Sequence, residues 1–298
     1  MRRYDHLGDV EVFLATVDGG SLTAAAAALG TTPSMVSRAL GRLEQRLGAQ
    51  LLRRTTRRLG LTDAGHLYLA QARAAFALID DAGRAVQPDG GMLAGTVRLS
   101  APTTWGHYRL PARLQAFAAR HPQVQVELDI SNRNADLVAD GFDLVIRGGE
   151  PRDSGLVAQR LEDAAYCLVA SPAYLDRHGT PAQVADLAGH ACLSFLLPST
   201  GRALPWQLRE DGQDVDWQPH GAVRVIDDVL GLVSLARAGL GICQTFDFVA
   251  REHLASGELV EVLAHARGRT RPFSLLYAPH RRLSAASRAL IEALRAAP

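Results

Sequence analysis

The strongest constraint on the fold is a change of pattern at the breaker cluster Pro88-Asp89-Gly90-Gly91. Before this cluster, apolar residues recur at helical spacing. From Thr96 onward, short β-rich runs alternate with helical patterns, which is typical of α/β units with mostly parallel strands. The 298 residues also exceed the roughly 100–200 residues of an ordinary domain. We therefore predict two or three units, helical before the cluster and α/β after it.

Residues 1–62 have the pattern of three short helices separated by tight turns. Gly19-Gly20 should end the first helix, Ser21 should cap the second, and Gly30 should end it. Thr32 and Pro33 then supply a capping hydroxyl and a first-turn proline, a strong start signal for the third helix. Four apolar residues of that helix should point inward: Val36, Leu40, Leu43 and Leu47.

Three short helices with a turn before the third form a helix-turn-helix, whose last helix enters the major groove of DNA. The outer face of this helix carries Ser34 and Ser37, which are short enough to permit close approach. Arg38 and Arg42 on the same face can reach guanine edges or phosphates. The helix start at Thr32 and Pro33 is a natural phosphate site. The pattern therefore predicts DNA recognition by this face.

Residues 51–62, with the sequence LLRRTTRRLGLT, are interpreted as a two-stranded wing or loop on the DNA backbone. Its candidate contact residues are Arg53, Arg54, Thr55, Arg57 and Arg58. The net charge of the chain is only +1, but residues 31–62 hold seven Arg and one acidic residue, a local charge of +6 that leaves −5 elsewhere. A solvated basic face on an ordinary helix bundle is the alternative; charge, helix phase and caps together favour DNA.

Residues 21–65, SLTAAAAALGTTPSMVSRALGRLEQRLGAQLLRRTTRRLGLTDAG, resemble the amino-terminal signature of the LysR-type transcriptional regulators. Met35 departs from the pattern, because such helices usually carry a small residue there. The resemblance continues in TVRLSAP at 96–102, GFDLVIRGG at 141–149, LVASPAYLDRHGTP at 168–181 and AGLGI at 238–242. It implies a linker helix that pairs subunits into dimers or tetramers, and a C-terminal domain like the periplasmic solute-binding proteins (type 2) that takes up a small effector.

A long helix over residues 62–87 is predicted after the wing, with Thr62 as its cap and Asp63 favourable to the helix dipole. Small and apolar residues lie along one face of this helix. A helix without a packing partner would expose that face to water. The proposed dimerisation residues are Leu67, Gln71, Ala74, Ala75, Leu78 and Ala82. The alternative is that this face packs on the C-terminal domain of the same chain.

Polar residues follow the strands of the C-terminal part, where α/β sheets bind their ligands. Ser100, Thr103 and Thr104 would offer hydroxyls beside free N–H groups, or would serve only as caps and turn residues. A second strand ends at Ser131. A third ends at Arg147-Gly148-Gly149, where the arginine could clamp an anion or pair with Asp143 or Glu150.

Further strands at 167–170, 191–195 and 259–263 suggest a second lobe, and the strand 273–277 and a helix at 284–296 return to the first. The chain therefore passes between the lobes twice, which is typical of a hinged two-lobed domain with a ligand cleft between its lobes. Asp227, at a predicted helix start, and Phe246 complete the proposed effector residues. Phe195 and Trp206, which we place in irregular segments, could line the cleft, although core packing is favoured.

We therefore divide the chain into a winged helix-turn-helix (1–61), a linker helix and hinge (62–90), and an effector domain (91–298). Lobe I takes about 91–163 and 268–298, and lobe II about 164–267. The sequence has no HExxH, GxSxG, P-loop, complete dinucleotide fingerprint or His/Cys cluster at metal spacing, so we expect no enzyme, cofactor or metal.

The three cysteines are far apart and suit buried reduced thiols in the cytoplasm, with redox sensing as the weaker alternative. The N-terminus lacks a signal-peptide pattern, and no apolar run suits a membrane span. We expect an effector-modulated, sequence-specific transcriptional regulator that binds double-stranded DNA, with RNA polymerase as a further candidate partner. The alternatives are a small-molecule-binding protein without regulatory DNA sites, or a non-specific architectural DNA binder.

Overall fold

The computed structural model describes residues 6–54, 59–85, 92–133, 137, 140–151, 155–197, 200–279 and 283–296. The N-terminal part begins with three helices, α1 (Leu7–Asp18), α2 (Leu22–Ala28) and α3 (Pro33–Leu47). Two short antiparallel strands follow, β1 (Leu52–Arg54) and β2 (Leu59–Leu61). The long helix α4 (Asp63–Ala85) comes next. This order confirms the predicted winged helix-turn-helix followed by a long helix.

Capping side chains start these helices where the sequence predicts. The Ser21 hydroxyl accepts a hydrogen bond from the Ala24 N–H at 3.1 Å, and the Thr32 hydroxyl accepts one from the Met35 N–H at 3.4 Å. Gly48, with φ +65°, ends α3 in the left-handed conformation that glycine adopts without strain. The Thr62 hydroxyl caps α4 by accepting from the Gly65 N–H at 2.9 Å. Local chemistry therefore sets the boundaries of the N-terminal helices.

One apolar cluster joins the three helices, the wing and the first half of α4. Its buried members are Val10, Phe13, Ala25, Ala26, Val36, Leu40, Leu43, Leu51, Leu52, Leu69 and Ala72. Leu47, expected to point inward, is instead 40% exposed. The chain turns at Gly48, and Leu51 and Leu52 fill the core after that turn. The wing is thus anchored by its own leucines.

The C-terminal part contains eleven strands and six helices within the described residues. Its strands are β3 (Ala94–Ala101), β4 (Gln123–Ile130), β5 (Leu144–Gly148), β6 (Val157–Ala170), β7 (Ser194–Leu196), β8 (Trp206–Glu210), β9 (Gln213–Trp217), β10 (Arg224–Ile226), β11 (Cys243–Phe246), β12 (Val260–Val262) and β13 (Thr270–Tyr277). Its helices are α5 (Thr103–Tyr108), α6 (Leu110–Arg120), α7 (Pro172–His178), α8 (Leu230–Arg237), α9 (Asp247–Ala255) and α10 (Ala285–Arg295). Short 3₁₀ turns cover Val184–Gly189 and Ala264–Ala266.

A seven-stranded sheet runs through both lobes in the order β11-β6-β13-β5-β3-β4, with β12 also paired to β6. The first part of the 14-residue strand β6 pairs with β13, and its last part pairs with β11 and β12. Strands β6 and β13 run antiparallel and carry the chain out to the second lobe and back. The sheet is therefore mixed, because the crossing strands are antiparallel, whereas β3 is parallel to β4 and β5.

Three details of the second lobe correct the sequence interpretation. Phe195 and Trp206 lie in strands β7 and β8, not in irregular segments. Strand β8 pairs with β9 across Asp211-Gly212, a dipeptide typical of hairpin turns that the sequence interpretation did not use. Helix α8 begins at Leu230 rather than at Asp227. Asp227 has φ +71°, which a helix does not allow.

Candidate functional site

The outer face of α3 is exposed, as the apolar spacing of this helix predicts. Ser34, Arg38 and Arg42 face solvent, Ser37 is half-buried, and the helix start at Thr32 and Pro33 is exposed. Met35 lies on the same face with 55% exposure, and the Thr31 hydroxyl donates to its sulfur at 3.4 Å. This face therefore presents short polar side chains, one thioether and two guanidinium groups together.

The two arginines of this face differ in their partners. Arg42 is paired with Asp9 of α1 through Nε–Oδ2 at 3.1 Å and Nη2–Oδ1 at 2.5 Å. This hydrogen bonding raises the pKa of Arg42. Arg38 donates to the backbone carbonyl of Ser34 at 3.4 Å and makes no ion pair within the described part of the chain. Arg42 is thus already paired within the protein, whereas Arg38 faces outward.

The wing is fixed to α3 by an acidic residue of that helix. The Glu44 carboxylate accepts from the backbone N–H groups of Leu51 and Leu52, at 2.8 and 3.1 Å. Arg53 is exposed on β1. The predictions for Thr55, Arg57 and Arg58, and for the side chain of Arg54, lie outside the described residues. Glu44, the one acidic residue in an otherwise basic stretch, therefore orients the wing.

Helix α4 has one buried and one exposed face. Leu69, Ala70 and Ala72 are buried, whereas Leu67 and Ile79 are 57% and 53% exposed. Of the other proposed dimerisation residues, Gln71, Ala75 and Ala82 are exposed, and Ala74 and Leu78 are half-buried. The sequence pattern did not indicate Ile79, which lies 12 residues after Leu67 and about 120° around the helix from it, beside Ala75 and Ala82. Among the described residues, this broad exposed side of α4 thus carries apolar side chains that a single chain leaves uncovered.

A carboxylate of α1 links the winged part to the C-terminal part. Asp18 accepts from Arg73 of α4 and, at 3.3 Å, from Arg98 of β3. Arg98 also pairs with Glu127 at 2.5 Å, and its N–H donates to Asp143 at 2.9 Å. These charged groups line a groove of about 700 Å³ that also includes Ala74. One acidic side chain is therefore shared between the linker helix and the first lobe.

A second cavity, of about 190 Å³, lies between the two lobes. Seven of the predicted effector residues line it: Thr104, Ser131, Arg147, Gly148, Phe195, Trp206 and Phe246. The sequence analysis missed several others: Pro102, Asn132, Tyr166, Leu197, Leu204, Val229, Leu232, Gln244, Thr245, Arg271 and Phe273. The cleft predicted from two chain crossings is therefore present between the lobes.

Ser100, Thr103 and Asp227 are outside this lining and have supporting contacts instead. Ser100 is fully buried, where its hydroxyl donates to Asp129 at 3.2 Å and accepts from Arg147 at 3.1 Å. Asn132 receives the Thr103 N–H at 3.1 Å, and its own Nδ2 donates to the Thr103 hydroxyl at 2.8 Å and the Asp227 carbonyl at 2.7 Å. The N–H group expected to be free is thus occupied, and Asn132 ties the lobes together.

Arg147 is the central cation of the cavity. It donates to three neutral oxygens, the carbonyls of Ile146 (2.7 Å) and Arg133 (3.4 Å) and the Ser100 hydroxyl (3.1 Å). Within the described ranges it has no carboxylate at ion-pair distance, so the alternative of pairing with Asp143 or Glu150 is not observed. Burial lowers the pKa of Arg147, although Asp129 opposes this effect. The geometry leaves its charge available to the cavity.

Arg271 is a second cation of the cavity. Its Nη2 donates to the Gly148 carbonyl at 2.9 Å, and Tyr166 lines the same cavity. Burial raises the pKa of Tyr166, so this phenol stays neutral at physiological pH. The apolar pattern predicts a strand that begins only at Phe273, so the sequence did not indicate Arg271. The pairing of β13 with β5 brings the two arginines to one cavity.

Other kinds of site receive no support from the described residues. They include no group of three or more His, Cys, Asp or Glu side chains able to hold a metal ion. All three cysteines are buried. Over the same ranges no single helix has the length and hydropathy to span a bilayer, and only the sharply bent pair α1–α2 meets that test jointly.

Comparison with known proteins places both parts of the chain in one family. Residues 7–66 match the bacterial regulatory helix-turn-helix proteins of the lysR family, and residues 90–298 match the LysR substrate binding domain. The chain is 34% identical over 294 residues to the probable HTH-type transcriptional regulator LtrA of Klebsiella pneumoniae, covering 97% of this chain and 93% of that protein. It is 33% identical over 271 residues to the HTH-type transcriptional regulator CrgA of Neisseria meningitidis, covering 90% and 89%.

The chain also resembles solved full-length structures of such regulators. The structure of CrgA from Neisseria meningitidis has a TM-score of 0.60 at 31% identity, covering 99% of this chain and 98% of that one. The virulence activator AphB of Vibrio cholerae has a TM-score of 0.61 at 28% identity, with the same coverage. The relatives are transcriptional regulators and not enzymes. The chain belongs to the LysR-type transcriptional regulators, with a winged helix-turn-helix and an effector-binding domain.

Proposed function

We propose that this protein is a cytoplasmic transcriptional regulator that binds promoter or operator DNA and responds to a small anionic effector in the cavity between its lobes. The observation that carries the effector part is Arg147, a largely buried guanidinium that lines the cavity and has only neutral hydrogen-bond acceptors among the described residues. Buried charges in proteins are usually paired, so an anionic ligand suits this position.

The DNA part is supported by the concentration of charge in residues 31–62, which carry +6 in a chain of net +1. Arg38 faces outward between Ser34 and Arg42 on α3, where a recognition helix contacts base edges. Glu44 holds the wing beside this helix. We assign base reading to Arg38 and backbone contacts to the wing arginines, including Arg53.

The exposed apolar side of α4 supports pairing of two linker helices, because one winged head reads only half of a symmetric site. We infer a homodimer that can associate further into a tetramer. We also propose the domain limits 1–61, 62–90 and 91–298, with lobe II between about 164 and 267. Effector binding acts by preferring one degree of lobe closure, and so one placement of the heads.

The test uses the full-length protein and the DNA upstream of its own gene, in a gel shift and a footprint. Arg38→Ala should flatten the preference for that DNA over random sequence, and a preserved preference would contradict the base-reading role. Arg53→Ala should weaken binding to all sequences evenly and reduce the salt slope by about one unit. Arg251, exposed on α9, provides the matched control Arg251→Ala, which should change neither property.

Full-length protein that fails to retard this DNA would favour a small-molecule-binding protein without regulatory sites. Footprints without a preferred position would favour an architectural DNA binder instead.

A further inference from the structure

We propose that the effector is a compact aromatic carboxylate, whose carboxylate lies between Arg147 and Arg271 and whose ring packs on Phe195 and Trp206. This inference rests on the proposed function, because it assumes that the cavity between the lobes takes the effector. It adds the chemical class of the ligand and the residues that select it.

The cavity has one cationic side and one apolar side. The strands β5 and β13 contribute Arg147 and Arg271, and Thr104, Ser131 and Asn132 add polar atoms beside them. The second lobe contributes apolar groups that include Phe195, Leu204, Trp206, Leu232 and Phe246. None of the described lining residues is acidic. A ligand that is anionic at one end and apolar at the other is complementary to this arrangement.

The glycine pair Gly148-Gly149 makes room for the second cation. A Cβ atom on Gly148 would lie 3.1 Å from the Arg271 Nε, and one on Gly149 would lie 2.9 Å from its Nη2. Because both glycines lack side chains, the guanidinium group packs directly on the backbone and donates to the Gly148 carbonyl. Arg271 is therefore a positioned group, and a carboxylate can accept hydrogen bonds from both arginines.

The apolar side of the cavity favours a ring over an aliphatic chain. Phe246 has Tyr166 at 4.9 Å and Phe248 at 5.4 Å, both in stacked geometry, so it belongs to a cluster of packed rings. Trp206 contacts Trp217 at 5.1 Å on one side and lines the cavity beside Phe195. Aromatic groups gain from packing on aromatic surfaces beyond the area that they bury. The volume of about 190 Å³, below the about 300–1,000 Å³ of drug-sized pockets, suits a single ring.

The test is a titration of the DNA-free, full-length protein, followed by its tryptophan fluorescence, because Trp206 lines the cavity. The probes are benzoate, cyclohexanecarboxylate, benzamide and acetate. We expect benzoate to bind about threefold to tenfold more tightly than cyclohexanecarboxylate, the gain from ring packing. It should bind more than about tenfold more tightly than neutral benzamide, since charge-assisted hydrogen bonds are lost with the charge. Acetate should bind most weakly.

Variants assign the effect to residues. Arg271→Gln should weaken benzoate binding more than about tenfold and leave benzamide binding within about twofold, because only the charged end of the ligand loses its partner. Gly148→Ala should weaken benzoate in the same direction by displacing Arg271 and Phe273, the two cavity side chains that a Cβ atom there would meet. Arg251→Gln is the matched control and should bind benzoate as the unmodified protein does. Circular dichroism and the retained binding of benzamide separate these effects from misfolding.

Three results would overturn the proposal: cyclohexanecarboxylate or acetate binding as tightly as benzoate, benzamide binding as tightly as benzoate, or no saturable binding of benzoate at millimolar concentration. The DNA experiments with Arg38→Ala are made without any ligand. A wrong ligand class is therefore distinguished from a failure of the DNA-binding function.

Discussion

Gly65, in the first turn of α4, packs directly against the backbone that leads into the wing. A Cβ atom at this position would lie 2.0 Å from the carbonyl oxygen of Leu51 and 3.0 Å from its carbonyl carbon. Ordinary van der Waals contact needs 3.4–4 Å, so α4 or the wing must move by more than an ångström. The same oxygen accepts the Thr62 N–H at 3.0 Å. Gly65→Ala therefore disturbs the joint between the linker helix and the winged head.

The expected change in the free energy of unfolding follows from three contributions. Overpacking against backbone costs about 3 kcal/mol, and loss of the hydrogen bond from Thr62 to Leu51 costs about 1 kcal/mol. Alanine has a higher helix propensity than glycine, which offsets about 1 kcal/mol of this loss. The free energy of unfolding of the winged head should thus fall by about 3 kcal/mol. This corresponds to about a hundredfold change in the opening equilibrium.

Hydrogen exchange measured by mass spectrometry on the full-length protein gives the local readout. Amides of α1 and α3 should exchange about a hundredfold faster in Gly65→Ala, whereas those of β6 should keep their rates. Gly83, on the same helix, has no heavy atom within 4 Å of its would-be Cβ. The control Gly83→Ala should therefore match or exceed the original stability. Unchanged exchange in Gly65→Ala, or equal damage in Gly83→Ala, would refute the reasoning.

Asp9→Asn should free Arg42 from its ion pair and steepen the salt dependence of DNA binding by about one unit; an unchanged slope in a fluorescence-anisotropy titration would contradict this. Asp18→Ala removes the acceptor shared by Arg73 and Arg98, so small-angle scattering should show a larger radius of gyration, and an identical curve would count against that link. Burial raises the pKa of the Cys167 and Cys192 thiols to about 12. Ellman's reagent should therefore leave them unlabelled at pH 8 until denaturant is added, and their contribution to stability should decline as the pH rises from about 8.5 toward 12.

The N-terminal part was predictable because its determinants are local. Ser21, Thr32 and Thr62 cap helices through hydrogen bonds to residues three positions along the chain, and a sequence shows such spacings directly. The outward face of α3 follows from helical periodicity in the same way. The pairing of Arg42 with Asp9 joins residues 33 positions apart, and no local pattern indicates it.

The cavity between the lobes was predictable in place, but its full lining was not. Strand ends identified Arg147 and Ser131, because polar residues follow the apolar runs there. The alternation of its strand does not show that the Ser100 hydroxyl lies between Asp129 and Arg147. Arg271 approaches Gly148 only through the pairing of β13 with β5, across more than a hundred residues. Long-range pairing therefore set the limit of the sequence prediction.

The sharing of strand β6 between the lobes also orders events during synthesis. The winged head and α4 close their apolar cluster within the first 85 residues, whereas Phe273 of β13 must pair with Glu162 of β6 to complete the sheet. At about 5–20 residues per second, the roughly 190 residues between the ends of α4 and β13 take about 10–40 s to appear. The winged head therefore folds on the nascent chain, with Leu67 and Ile79 exposed, well before the cavity between the lobes can form.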